Sequence, residues 1–412
     1  MKTVHNPRWV VATFKRPVLW SRSDDETWML NPVSRYILNA EMLASLQEFV
    51  QSVSDLNGAS LYKPLRAGAY LPGSKILVER YRERGIGDLL FMTGVMEYIR
   101  HVTGGDASIY FYALAARGQI LSHHPCLYSG VTLAGPVHYD DLPLYDAHWF
   151  VDTVTEHNEE ADQLNVYDSL FKSLGFNPNE VDAKFKRPSM VLKEEDSKGL
   201  DQFMFMVYME KKLDLRKTGY YVVAPFANAS LRVMPYKTWM EVIVELSNRR
   251  PVIVIGHINQ RMPDAGMDAG QFNSLLDEVS RKTNVINALG KTPNIRSVAS
   301  IISKANAVVC LDSGPLYVAQ ALRVPAVSVW GPHHPGVRIG YDQEYMDTAV
   351  WNKMACKKSP CFAYSEFPVH KCPSGESQTL CQVLLTTTSK AITSVVDEIE
   401  SRKKPLSVFK AA

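Results

Sequence analysis

The sequence predicts an α/β protein built from two doubly wound halves, and three observations carry that reading. The chain has 412 residues, too many for one ordinary core and suited to two domains. From residue 75 onward short apolar runs alternate with stretches of helical period, and the alternation restarts near residue 220, as in βαβ units of parallel sheets. The stretch CLDSGPLYVAQALRVPAVSVWGPHHP, Cys310 to Pro335, holds a whole β-turn-α-β unit, with an acidic residue and a glycine where strand gives way to helix.

Residues 1–74 read as an irregularly patterned extension, with a helix expected around Glu41 to Val53. Lys75 to Val78 is the first strand of regular alternation, and a helix from about Leu89 to His101 follows the loop Arg82 to Asp88. Further strands are expected at Ser108–Tyr112, Val131–Ala134 and His148–Val151, then a helix near Leu164–Leu174. Lys193 to Lys217 is charged and reads as a helix with a linker. The second half offers strands at Tyr220–Ala224, Val252–Ile255 and Asn284–Ala288, with helices at Tyr236–Asn248 and Ile295–Ala305. In the Cys310 unit, Ala307–Leu311 is an apolar run of buried-strand length, and Leu316, Val318, Ala319, Ala321 and Leu322 recur at helical spacing. Pro315 suits a first helical turn, where its missing N–H costs nothing. Pro325 to Pro332 is a strand stopped by a turn, and an amphipathic helix from Ser389 to Arg402 closes the pattern. The expected domains are an extension at 1–74, an acceptor-side domain at 75–205, a nucleotide-sugar domain at 206–388 and a helix with tail at 389–412. Two such domains put strand-end loops on a cleft.

Apolar content of 46% and charged content of 21% describe an ordinary globular chain. No apolar run approaches the roughly 18 residues that cross a bilayer, and Pro7, Arg8, Lys15 and Arg16 interrupt the start, so a cytoplasmic protein is expected. Net charge is +2, which selects no polyanionic partner. Residues 1–22 nevertheless hold five Lys or Arg and no Asp or Glu, interleaved with Trp9, Phe14 and Trp20. Such an arm fits a packed extension or a nucleic-acid-facing one. Of six cysteines, Cys356, Cys361, Cys372 and Cys381 cluster. Their spacing lacks paired C-x2-C knuckles, so no metal is expected and a loop staple is; disulfides require an oxidising compartment.

Three strand-end loops carry unusual residues. The first is Gly85-Ile-Gly87-Asp88 through Gly94, where a carboxylate sits at a helix start. The second runs Asn228-Ala-Ser230-Leu-Arg232-Val-Met234-Pro235. The third, Asp312-Ser313-Gly314, opens a helix whose N–H groups and dipole suit a phosphate. Asp88 and Asp312 would serve equally as helix caps, and Arg232 as a surface cation.

Together the loops resemble the glycosyltransferase family 9 proteins, the ADP-heptose:lipopolysaccharide heptosyltransferases of GT-B fold. The family's GD-x-L-x-x-T-P is matched by Gly87-Asp88-Leu-Leu-Phe-Met-Thr93, with Gly94 for the proline. Its basic residue before a W-P pair is matched by Arg232 and Met234-Pro235, and its D-[ST]-G-x-x-H-x-A-x-A-x-x-x-P by Asp312 through Pro325, with Tyr317 for the histidine. The cysteine loop echoes the family's C…PC…CP…C.

The resemblance covers roughly residues 75–402 and implies two Rossmann-like domains facing across a cleft. It implies an inverting transfer of sugar from a nucleotide-diphosphate sugar, an ADP-sugar in the family's manner, to a glycan or glycolipid hydroxyl, with peripheral attachment to a membrane. Such a transfer needs a base and positive charge on the departing diphosphate. Asp88 is the candidate base, with Gly87 and Arg84 on the acceptor side. Asn228, Ser230, Arg232, Asp312, Ser313 and Gly314 are the candidate diphosphate contacts, and Tyr317 a candidate donor contact. No D-x-D triad is present, so a metal-independent reaction without cofactor is expected. Two other readings use the same residues: a transferase acting on hydroxymethylated bases in DNA, from the basic aromatic arm and Arg80, Arg82 and Arg84, and a nucleotide-sugar-binding protein without turnover.

Overall fold

The structure is a computed structural model that describes residues 9–23, 26–66, 68, 72–80, 85–113, 115–151, 163–227, 230–257, 269–361, 372 and 380–402. The chain forms two compact units, Met1–Val191 and Leu192–Ala412.

Unit 1 opens with strands rather than irregular chain. β1 (Val10–Phe14), β2 (Val18–Ser23), β3 (Glu26–Leu30) and β4 (Tyr36–Leu38) precede the short helix α1 (Ala40–Leu46) and β5 (Val50–Asp55). β1 runs antiparallel between β4 and β5, and β2 pairs with β3. The helix expected to reach Val53 therefore stops early. Val50-Gln-Ser-Val-Ser is β-branched and hydroxyl-rich, poor helix material, and pairing with β1 satisfies its backbone. The aromatic arm is also corrected: Trp9, Phe14 and Trp20 are 8%, 0% and 6% exposed. They are core of the small sheets, not a platform for stacking bases, and the DNA reading loses its support.

Next come β6 (Lys75–Arg80), α2 (Ile86–Val102), β7 (Ser108–Tyr112), α3 (Ala115–Gly118), β8 (Ala147–Val151) and α4 (Val166–Ser173). The three strands form a parallel sheet in the order β7-β6-β8. The expected strand at 131–134 is reduced to a single bridge, Tyr112 to Leu133, because Gly130 and Gly135 on either side turn through positive φ. One sheet face, with Leu77, Tyr110 and Phe150, packs on Trp9, Val11, Ile37 and Leu56 of the extension; the Trp9 and Phe150 rings lie 5.0 Å apart.

Along α2, a Cβ at Gly94 would run into the carbonyl oxygens of Phe185 and Arg187. Glycine stands there because another segment crosses the helix at backbone contact. Just beyond the crossing, the Ser189 N–H donates to Thr93 Oγ1 (2.8 Å), and the Ser189 hydroxyl bonds with Glu97 and His124 Nε2.

Unit 2 contains α5 (Glu194–Lys211), α6 (Leu215–Thr218), β9 (Tyr221–Ala224), α7 (Tyr236–Ser247), β10 (Val252–Val254), α8 (Ala269–Lys282), β11 (Val285–Asn287) and α9 (Ile295–Ser303). After these come β12 (Ala307–Leu311), α10 (Gly314–Ala321), β13 (Ala326–Val329), α11 (Pro335–Ile339), α12 (Gln343–Met346), β14 (Ala349–Val350), α13 (Gln382–Leu385) and α14 (Ser389–Arg402). The strands form one parallel sheet in the order β11-β10-β9-β12-β13-β14. β9 to β13 are buried throughout, which is why they read as apolar runs rather than alternating ones. Trp239, Tyr236, Phe226 and Phe272 fill the core with Ile392 and Val396 of α14. Asp196 of α5 grips Arg296 of α9 through two bonds of 2.5 and 2.6 Å.

Candidate functional site

The strand order of unit 2 reverses direction between β9 and β12. Chain leaving β9 continues toward β10, and chain leaving β12 continues toward β13, so the two loops part above a crevice at the carboxyl ends of neighbouring strands. Open α/β sheets bind ligands at this switch point. The loop after β9 carries Arg232, in a short turn Ser230–Arg232, and the residue after β12 is Asp312.

The two residues meet. Arg232 Nη1 donates to the Asp312 backbone oxygen at 3.1 Å and lies 3.5 Å from its Oδ2. Two neutral donors hold the carboxylate: the Tyr317 hydroxyl on Oδ1 at 2.5 Å and His333 Nδ1 on Oδ2 at 3.0 Å. Tyr317 comes from α10 and His333 from the loop after β13, so the loops of three strands contribute. Arg338, buried on α11, acts on the same carboxylate electrostatically.

Burial alone would raise the Asp312 carboxyl. The His333 hydrogen bond and the charges of Arg232 and Arg338 outweigh it and hold the group well below the usual carboxylate range. Burial pushes His333 below its ordinary value despite the Asp312 bond, with Arg338 and Arg232 adding to the shift. Tyr317 is driven far up by burial and then by the Asp312 charge. At neutral pH two guanidiniums therefore face one carboxylate, a neutral imidazole and a neutral phenol, and the cluster keeps one excess positive charge.

The remaining sequence candidates divide. Ser313 is the N-cap of α10, with Gly314 and Pro315 in its first turn. Ser230 lies in the turn that bears Arg232, while Asn228 and Arg84 fall outside the described residues. In unit 1, Asp88 stands in the first turn of α2, with its carboxylate folded back over Gly85 and Oδ1 3.5 Å from Arg80 Nη2. Gly87 is buried in the same turn. Trp239 and Trp330 are fully buried core residues. Met234, in the place of the motif's tryptophan, is buried beside Trp239 in the same core cluster.

His333 and Arg338 were missed from sequence. Their signal was the polar run His333-His334 and Arg338 directly past a strand that turns out to neighbour β12. Of the paired histidines, His334 caps α11, its Nδ1 accepting the Gly336 N–H at 2.9 Å, and His333 turns to Asp312.

None of the six cysteines forms a disulfide in this structure. Burial pushes Cys381 up to about 11, with the Cys361 and Cys372 thiols adding to it. Among the described residues no group of three His, Cys, Asp or Glu side chains is arranged to hold a metal ion.

The model of glycosyltransferase family 9 (heptosyltransferase) matches residues 148–366, just over half of the chain and all of the Asp312 cluster. The chain belongs to glycosyltransferase family 9. It is a glycosyltransferase, heptosyltransferase-like, and its fold is the α/β GT-B type. No curated protein matches the chain. Among solved structures, E. coli ADP-heptose lipopolysaccharide heptosyltransferase II aligns at TM-score 0.56 and 15% identity, over 80% of this chain and 99% of that one. A glycosyltransferase family 9 protein of Veillonella parvula aligns at TM-score 0.55 and 13% identity, over 81% and 99%. TibC of enterotoxigenic E. coli, a dodecameric iron-containing heptosyltransferase determined with ADP-D-β-D-heptose, aligns at TM-score 0.53 and 13% identity, over 94% and 84%. At these identities the likeness is one of fold. The family match begins after residue 147, so Asp88 rests on its own motif.

Proposed function

We propose that this family 9 enzyme transfers a sugar, heptose by kinship, from an ADP-sugar to a glycan or glycolipid hydroxyl in one inverting, metal-independent displacement. The observation that carries the reading is the excess positive charge fixed at the switch point of unit 2. As the bond from the anomeric carbon to the diphosphate oxygen breaks, its electron pair goes to the leaving nucleotide. Preorganised cations and N–H groups in a water-poor site stabilise that charge. Arg232 supplies the cation, and the Ser313–Gly314 turn supplies backbone N–H and the dipole of α10; Asn228 and Ser230, next to Arg232 in sequence, are assigned to the same diphosphate. The acceptor oxygen attacks the opposite face of the anomeric carbon and gives its proton to Asp88, with Gly87 and Arg84 on the acceptor side. Residues 75–205 are assigned to the acceptor and 206–388 to the donor. The donor nucleotide follows TibC, which was determined with ADP-D-β-D-heptose.

A glycolipid acceptor would bring the enzyme to a membrane surface; among the described residues no helix is long and apolar enough to cross one. TibC is iron-containing, and in this chain the thiols of Cys361 and Cys372 both lie within electrostatic reach of Cys381. Soft sulfur donors of this kind fit iron or zinc. In this structure Cys356, Cys361, Cys372 and Cys381 are not gathered around one point, so an ion there would have to draw them together, as a loop tie that takes no part in the transfer.

The test is Asp88→Asn. ADP affinity should persist while turnover falls by roughly 10²- to 10⁴-fold, the range for a general base. Turnover near wild type with an intact fold refutes the assignment.

A further inference from the structure

We infer that His333 is a positioning residue for the donor diphosphate, acting through Asp312, and that Tyr317 shares this task instead of touching the donor. The inference rests on the reading of Arg232 as a diphosphate ligand. It identifies what holds Arg232 in place.

Asp312 is ionised and can only accept hydrogen bonds, so the His333 Nδ1 that lies 3.0 Å from Oδ2 must carry the proton. The neutral imidazole then has no proton on Nε2 to give a phosphate. Its Nδ1 proton goes to Asp312. Tyr317 likewise spends its hydroxyl proton on Oδ1. Both side chains are buried, at 4% exposure each.

The two donors come from different elements, α10 and the loop after β13. The carboxylate cannot rotate without breaking one of the two bonds. Arg232 Nη1 rests on this fixed group, between the Asp312 backbone oxygen and Oδ2. Fixing the carboxylate therefore fixes the guanidinium, at the cost of no charge, since both donors are neutral. Among the described residues, Arg338 and the Cys310 thiol, which burial keeps protonated, also bear on the carboxylate. An aromatic hydroxyl at 317 and an imidazole at 333 thus divide one job between two loops.

The experiment measures ADP affinity by titration calorimetry for the full chain and for Arg232→Ala, His333→Ala, His333→Asn, His333→Gln and the Arg232→Ala/His333→Ala double variant. Asparagine places an N–H near the Nδ1 position and glutamine near Nε2. His333→Ala should weaken ADP binding about 10-fold, the loss typical when an orienting hydrogen bond is removed. Asparagine should restore most of that loss and glutamine little of it. In the double variant the His333 loss should vanish, because the group it positions is gone. Additive losses, or rescue by glutamine rather than asparagine, overturn the inference and leave the diphosphate role of Arg232 standing. An Arg232→Ala chain that binds ADP as tightly as wild type, or a wild-type chain that does not bind it, overturns that role and this inference together. If the alanine variants fail to fold, the asparagine and glutamine pair decides.

Discussion

Asp312→Asn is the substitution that most directly probes the cluster. It keeps the size of the side chain and an acceptor for Tyr317, but leaves Arg232 and Arg338 without the carboxylate they face. Removing one partner of a buried ion pair costs about 3–5 kcal/mol. The lower end applies here, because Arg232 retains its 3.1 Å bond to the backbone oxygen and its side chain is 15% exposed. A unit of the size of Leu192–Ala412 loses about 2–4 °C of melting temperature per kcal/mol. Scanning calorimetry at pH 7.5 and low salt should therefore find the variant's transition about 6–12 °C below wild type. The pH dependence has a definite sign. A carboxyl held low in the folded state contributes stability above its unfolded pKa of about 4, and loses it as pH falls through the folded value. The gap between the proteins should be constant from about pH 8 to 5 and should narrow below about pH 4. A shift under about 2 °C at pH 7.5 would refute the claim that Asp312 neutralises the buried guanidiniums.

Gly94→Ala should destabilise unit 1 by about 1–3 kcal/mol, the cost of overpacking, read as a lower urea midpoint; an unchanged midpoint would mean that the crossing is loose. Asp196→Ala should cost unit 2 about 3 kcal/mol by leaving buried Arg296 without its carboxylate, and calorimetry would check it. Burial keeps the His333 pKa below its unfolded value of about 6.5, so the unfolded chain takes up that proton first and stability falls as pH drops through that value. His333→Asn should flatten the slope of unfolding free energy between about pH 7 and 5, measured by urea titration. Burial pushes the Cys126 thiol up to about 12 and Cys310 higher still. Peptide mapping after native alkylation at pH 8 should find both unmodified.

The parallel strands of unit 2 were legible because a strand covered on both faces is written as an apolar run, and Ala307–Leu311 stands where that run predicts. Asp312 was legible because it directly follows such a run, and Arg232 because it stands in the loop that follows another. His333 was not, since periodicity does not say that β13 lies beside β12 or that the loops beyond them converge. Tyr317 was legible as a substitution, while the bond of its hydroxyl to Asp312 was not. Gly94 in place of proline gave no hint of its cause, because the carbonyls it must avoid belong to residues 185 and 187. The extension was the least legible part. β5 is mostly exposed on both faces, so its alternation is too faint to read.

The extension also changes what counts as the smallest viable piece of this enzyme. Motifs would start the catalytic chain at the strand containing Lys75, but Trp9, Val11, Ile37 and Leu56 are what lie on Leu77, Tyr110 and Phe150. They serve unit 1 as a lid of β-structure on a sheet face that would otherwise meet water. Trimming the gene to its recognisable motifs would strip that lid and expose aromatic sheet surface, a recipe for aggregation rather than for a minimal enzyme. The segment with the least family signature is thus part of the foundation on which the strand leading to Asp88 is laid.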